Sequence, residues 1–379
     1  MLRSTERILT MHAGTTPRVP ELRQMVLDKS AGENVDQAEL TARLRKAIAE
    51  TVRRQVEIGL DSINDGELGK SSFTNYARER LTGHVHRLAQ PGNVLARIYG
   101  RDAADFPDYF EGRGNLGGYE VVCVGPLAYT GQEAVAEDIA NFKAALEGVD
   151  GPEPYLPAVA PGTIEHWMKN EYYASDEEYL FAIADAMHVE YKAIVDAGFL
   201  LQIDDPDLAD GWQIQSGMSV PEYRKFAQLR IEALNHALRD IPESSVRFHM
   251  CWGSYKGPHV HDIPLADIVD IILDVKAEGY SIEASNPRHD HEWAVWKDVK
   301  LPEGKLLIPG VVGHANDFIE HPELVAQRLV RYAEAVGREN VMAGTDCGIG
   351  SRVGHAQVCW AKFESLVAGA RLATEALWG

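Results

Sequence analysis

Short apolar runs alternate with longer amphipathic stretches along most of the chain. Residues 8–14 read as a strand and residues 35–59 as a long amphipathic helix, followed by Ser62-Ile63-Asn64-Asp65-Gly66-Glu67. Further on, residues 119–125, 155–162, 200–205, 246–251, 280–284, 306–312 and 341–346 are strand-like. Between and after them, residues 132–146, 176–198, 221–241, 265–279, 321–336 and 355–378 carry a helical period, the second of these closed by glycine. Residues 69–118 break the rhythm with scattered aromatics, glycine and charge, and read as an excursion of loops with a hairpin.

Alternating strand and helix argues for a parallel sheet. With 62–67 counted as the second strand there are nine candidates, one too many for an eight-stranded barrel, and 119–125 is the one to move outside, into the excursion's hairpin. The polar and acidic residues gather at the C-terminal ends of strands: Glu67, Asp204, Asp205, His249, Cys251, Glu283, Asp346 and Cys347. In a barrel that end is the functional face. The other α/β arrangement, a doubly wound sheet, lacks its signature, because no Gly-rich dinucleotide loop follows the first strand. The expected fold is therefore α/β, a (β/α)8 TIM barrel. It takes residues 1–379 as one domain, with 69–118 inserted after the second strand.

Composition narrows the function by exclusion. The formal net charge is -20, from 57 acidic against 37 basic residues. Such a chain lacks the phosphate-neutralising face that nucleic acid requires, and it disfavours an anionic membrane surface. No stretch approaches a transmembrane span, and Met1-Leu2-Arg3-Ser4 opens no apolar leader. A reducing cytoplasm is expected. There the four cysteines are not bridge partners: Cys123 and Cys359 read as packed thiols, Cys251 and Cys347 as metal ligands.

The ligand reading rests on residue type and place. His249 and Cys251 are two apart on one strand, so both side chains face the same way while Met250 faces the other. Glu283 and Cys347 end two further strands. One imidazole, one carboxylate and two thiols form a mixed N/O/S set that selects Zn2+, and such a site makes a thiol reactive. Asp204 and Asp205 end another strand, before Pro206; like Glu67, they are either functional acids or loop caps. Trp167, in Pro161-Gly162-Thr163-Ile164-Glu165-His166-Trp167, can stack on a flat heterocycle or serve as a lid or core residue. His259, His261, His289, His291 and His355 fall in or near loops and read as mostly solvated. His314 follows a strand and is the first candidate proton donor, with Asp205 the second.

In this order, the motifs His249-Met250-Cys251, Ser281-Ile282-Glu283-Ala284-Ser285 and Asp346-Cys347-Gly348, with Arg352 close behind, resemble the catalytic half of cobalamin-independent methionine synthase. They also resemble its short single-barrel relatives, including the epoxyalkane:coenzyme M transferases. The resemblance runs from about Ile8 to Trp378. It implies zinc on His249, Cys251, Glu283 and Cys347, and alkyl transfer to a zinc-bound thiol. It also implies that Gly14-Thr15 holds the amino-acid thiol, that Glu67 and Asp204 grip its ammonium, and that Trp167 stacks on the pterin of a methyltetrahydrofolate. The departures are Thr15 for the usual serine, Asp205 in Asp204-Asp205-Pro206 for glutamate, and His314 displaced by one residue. The full-length synthase's N-terminal barrel has no counterpart. The acids favour an ammonium-bearing thiol such as homocysteine over the sulfonate of coenzyme M, unless Arg18 or Arg352 outweighs them. Methyl transfer to homocysteine or a similar thiol therefore leads. Thiol addition to an epoxide, a non-catalytic zinc- or folate-binding barrel, and a zinc hydrolase follow.

Overall fold

The computed structural model describes residues 1–88, 98–111, 119–350 and 352–379. Parts of the 69–118 excursion, residues 89–97 and 112–118, lie outside them. The barrel strands are β1 (Leu9–Thr10), β2 (Ser62–Ile63), β5 (Glu153–Val159), β7 (Leu200–Asp204), β8 (Val246–Met250), β9 (Gly279–Glu283), β10 (Leu306–Val312) and β11 (Met342–Thr345). They pair in parallel in the order β1-β11-β10-β9-β8-β7-β5-β2. A single parallel bridge from Met11 to Ser62 closes the ring. The strands from β7 onward are buried along their whole length, which is why they read as unbroken apolar runs.

β3 (His84–Leu88) and β4 (Tyr119–Cys123) pair antiparallel outside the ring, and β6 (Lys169–Asn170) joins β4 in parallel. The excursion thus forms an antiparallel pair, but not the expected hairpin, because the helices Gly100–Asp105 and Pro107–Phe110 lie between its strands; 119–123 is outside the barrel as expected.

Helix ends follow local chemistry. Asp36 accepts from the backbone N–H of Ala38 and Glu39 to start the helix Gln37–Ile58, and Gly59, at φ 93°, ends it. Two helical readings need correction. The stretch 265–279 is not one helix but a 3-10 turn, Leu265–Asp267, and a short helix, Val269–Leu273. It stops there because Asn235 and the Tyr280 hydroxyl donate to the carbonyls of Asp274 and Val275, which a longer helix would have used. The helix Pro20–Ser30 was not anticipated, because it buries only Leu22 and Val26 and shows almost no apolar face.

The barrel interior is layered. Leu9, Met11, Ala13, Leu306, Ile308 and Met342 fill its lower part. Above them the buried Arg247 guanidinium donates to the Ser62 hydroxyl at 2.9 Å and lies over the Tyr155 ring. Arg247, His249 and Cys251 alternate along one strand with Phe248 and Met250, which pack in the outer core. The column therefore climbs from the barrel centre to its C-terminal mouth. No helix among the described residues is long and apolar enough to cross a membrane.

Candidate active site

Parallel register brings distant residues level. Asp204 pairs with His249, His249 with Ser281, and Glu283 with Gly310. Gly310 lets the next chain close in: a Cβ there would lie 2.5 Å from the Asp346 Cα.

At this end a ring nitrogen of His249, Sγ of Cys251 and Sγ of Cys347 all lie within 4.8 Å of one another. The two sulfurs are 3.8 Å apart. Two sulfurs each about 2.3 Å from a tetrahedral ion are separated by about the same distance. His249 Nδ1 is held by the Ser281 hydroxyl at 3.1 Å, which leaves Nε2 buried and without a hydrogen-bond partner. This is the arrangement of a ring with one nitrogen oriented and the other free for a metal. The Cys347 thiol is held well below its ordinary range by the hydrogen bond from Cys251 and by the His249 and His314 imidazoles, against burial. The same contact, with burial, pushes Cys251 up.

Glu283, the fourth expected ligand, falls in a neighbouring cluster. Its carboxylate, a ring nitrogen of His314 and a carboxylate oxygen of Asp346 lie within 4.8 Å of one another, all buried. Glu283 accepts from the Trp252 backbone N–H at 2.8 Å and from the Asn286 amide at 3.1 Å. Asp346 accepts from the backbone N–H of Ala284 and Ser285 and from the Ser285 hydroxyl, tying the end of β9 to β11. Burial, with the Glu283 charge, raises Asp346 to about 7. The sequence thus points to four ligands around one ion, whereas the structure presents a soft N/S triplet beside a hard N/O triplet, with Glu283 in the second.

The first two barrel strands supply the remaining wall. Gly14, at φ 133°, leaves room for Glu67, whose Oε1 would be 2.6 Å from a Cβ at that position. Glu67 itself is held in the left-handed region at φ 54°. Its Oε2 is 3.2 Å from the ammonium of Lys70, a buried residue that also donates to the Pro157 carbonyl. Thr15 packs its hydroxyl against Gly348, in the turn that carries Cys347. Arg18 donates to the carbonyls of Glu67 and Lys70, so its charge clamps the loop. Asp204 receives the Gln202 amide at 2.8 Å, and burial, reinforced by Glu67, raises it to about 7. Asp205 is likewise raised to about 7 by burial and accepts from the Thr163 hydroxyl.

Trp167 ends a short helix, Pro161–Trp167. Its ring stacks on His166, its indole N–H reaches Asp207 at 3.3 Å, and it packs against Ile98, Tyr99 and Phe110 of the excursion. Arg352 is exposed, and its charge is felt at the Tyr99 hydroxyl. Three residues that matter here were not read from the sequence. Asp210 is buried with one oxygen unpartnered and is raised well above the carboxylate range, by burial first and then by Asp207 and other acids. Lys70 was the only cation near Glu67 in sequence, which was the available signal. Ser254, whose hydroxyl meets His314 Nε2 at 3.1 Å, sits in a turn with no periodicity to mark it.

Two histidines expected to be solvated are buried: His259 and His289, at 6% and 3% exposure. Asp262 bonds both, and Glu292 takes the other nitrogen of His289. The Trp252 ring stacks on His289 at 3.8 Å, linking this network to Glu283. Burial lowers the His289 imidazole, but the bonds to Asp262 and Glu292 outweigh it and raise it from 6.5 to about 9. A group raised in the folded chain stabilises it fully below its ordinary value and loses that contribution as pH rises through the folded value. The urea midpoint of the wild type is therefore expected to fall between pH 6.5 and 9. A His289→Gln variant should show a shallower fall, and superimposable pH curves for the two proteins would remove this network from the stability account.

Comparison with known proteins places the chain in a family. Residues 128–371, well over half of the chain, match the family model described as cobalamin-independent synthase, catalytic domain. A methionine synthase of Thermococcus kodakarensis is 26% identical over 332 residues, covering 87% of this chain and 82% of that one. A methionine synthase of Sulfolobus acidocaldarius is 24% identical over 339 residues, covering 89% and 84%. The solved structure of a B12-independent methionine synthase from Shewanella sp. W3-18-1, in complex with selenomethionine, shares the fold with a TM-score of 0.74 at 18% identity. That match covers 98% of this chain and 99% of that one. The family match begins just after β4 and spans β5 to β11 with their C-terminal ends, and on that ground the chain belongs to the cobalamin-independent synthase family.

Proposed function

We propose that the protein is a zinc-dependent S-methyltransferase that carries a methyl group from a methylated folate or similar donor to homocysteine or a similar amino-thiol. The observation that carries this reading is the sulfur pair at 3.8 Å beside a buried imidazole nitrogen with no other partner. The relatives named as methionine synthases support the same reaction class. His249, Cys251 and Cys347 would hold the ion, and Glu283, whose carboxylate keeps free lone pairs beside its bonds to Trp252 and Asn286, would be the fourth ligand. Bound there, zinc supplies thiol acidity, so that an incoming thiol reacts as the thiolate.

The chain's own groups do the rest. Gly14 and Thr15 shape the turn under the thiol's backbone end. Glu67 and Asp204 face its ammonium, and that positive charge draws Asp204 toward its ionised form. Trp167 offers a flat face to the donor, and Arg352 a positive charge to the donor's acidic end. The thiolate sulfur bonds to the methyl carbon as the methyl–donor bond breaks, and the leaving atom takes a proton from His314, with Asp205 as the second candidate. The segment 69–118, as an insertion in a single barrel domain, shapes the donor side. Free cysteines at 123, 251, 347 and 359 fit a reducing compartment, the cytoplasm.

One observation favours a second reading, thiol addition to an epoxide. Lys70 already neutralises Glu67, which weakens the demand for an ammonium on the thiol. Incubating the zinc-loaded protein with homocysteine or coenzyme M, each with methyltetrahydrofolate or an epoxide, and weighing the thioether by mass spectrometry decides between them. Methionine is the expected product. A hydroxyalkyl thioether would overturn the methyl-transfer reading, and no thioether from any pair would overturn both.

A further inference from the structure

We infer that Ser254 is a positioning residue for His314, occupying Nε2 and thereby assigning proton delivery to Nδ1; the inference rests on the methyl-transfer reading above. Ser254 lies in the turn after β8, three residues beyond Cys251. Its Oγ is 3.1 Å from His314 Nε2 and 4.0 Å from Cys347 Sγ. His314 is 1% exposed, and its Nδ1 is buried with no hydrogen-bond partner. His259 and His289 spend both ring nitrogens on carboxylate or carbonyl partners, whereas His249 keeps one free on the metal side. His314 spends one and keeps one.

The partner of one ring nitrogen fixes both the ring's orientation and the task left to the other. An Nε2–H donating to Oγ, with the hydroxyl donating on to the Cys347 sulfur, makes a directed chain from the ring to the thiol side. Nδ1 is then the only ring position through which a proton can pass to the donor's leaving atom. Proton balance requires the ring to enter the step as the imidazolium, with a proton on each nitrogen: the sulfur–carbon bond forms, the methyl–donor bond breaks, the Nδ1 proton goes to the leaving atom, and the neutral ring keeps its Nε2–H on Ser254.

The turn that carries Ser254 is itself held. Tyr255 stacks on Tyr99 of the excursion at 3.5 Å and hydrogen-bonds Asp102, and His259, four residues on, is bonded to Asp262. The hydroxyl is therefore presented to His314 by packing on both sides and not by a free loop.

A Ser254→Ala variant tests this in the zinc-loaded protein. Its kcat is expected to fall roughly 10- to 100-fold, the scale for a misplaced reacting group, with KM for the thiol unchanged. Ser254→Thr, which keeps the hydroxyl, should restore most of the rate. In protein carrying 15N-labelled histidine, the Nε2 signal lost in a His314→Gln variant should shift in Ser254→Ala and stay in place in Ser254→Thr. Wild-type kcat in Ser254→Ala, or a KM raised in step with the loss of kcat, overturns the inference. A wild type that makes no thioether overturns the methyl-transfer reading and takes this inference with it, whereas an active wild type with an indifferent Ser254→Ala sinks this inference alone.

Discussion

A Cys347→Ser variant is expected to lose both zinc and methyl transfer. A serine hydroxyl stays protonated near neutral pH and offers a hard oxygen, so one of the two soft donors disappears. Its partner suffers too, since Cys251 and Cys347 are coupled through a shared contact at 3.8 Å. Changes to groups that merely orient a metal ligand typically weaken metal affinity by roughly 10- to 100-fold, and loss of the ligand itself should exceed that. The fold should survive. Cys347 sits in a turn whose backbone is pinned by the Thr345 hydroxyl, which donates to the Cys347 carbonyl and accepts from the Ala13 N–H. Metal content by plasma emission and thioether formation measure the two losses, with circular dichroism as the control. Full zinc and full turnover in the variant would refute the site.

Replacing His314 by glutamine should separate binding from chemistry. The amide can still bond Ser254, and the pocket keeps its volume, but no group remains to hand a proton to the leaving atom. Loss of a general acid lowers the rate roughly 10²- to 10⁴-fold. The effect should fall on kcat, with KM for the thiol changed by no more than about twofold, because the lost interaction belongs to the transition state. If kcat survives, Asp205 inherits the role. Its carboxyl, raised to about 7 by burial, retains a proton near neutrality. Asp205→Asn in the same assay distinguishes the two acids.

The barrel was legible because its strands are buried on both faces and therefore appear as plain apolar runs between amphipathic helices. The polar residue that ends each run marks the mouth, which is how His249, Cys251 and Cys347 could be grouped from positions almost a hundred residues apart. Fine placement was not legible. Glu283 ends a strand as the ligands do, yet the Trp252 backbone N–H and the Asn286 amide turn its carboxylate toward His314 and Asp346. Nothing in residue spacing reports such a turn. His259 and His289 looked like loop histidines because sequence shows polarity and not enclosure; two carboxylates in contact allow both to be buried. Lys70 was overlooked because a lysine three residues from a glutamate is common on helix surfaces, whereas here both are buried in a loop.

The outer sheet ends on Lys169–Asn170, two residues beyond Trp167, and the excursion's Tyr99 packs against that indole. The excursion thus meets the helix bearing Trp167 on one side and, through Tyr99 and Asp102, the Tyr255 turn after β8 on the other. A change in the excursion is therefore felt at the turn that presents Ser254 to His314 as well as at Trp167.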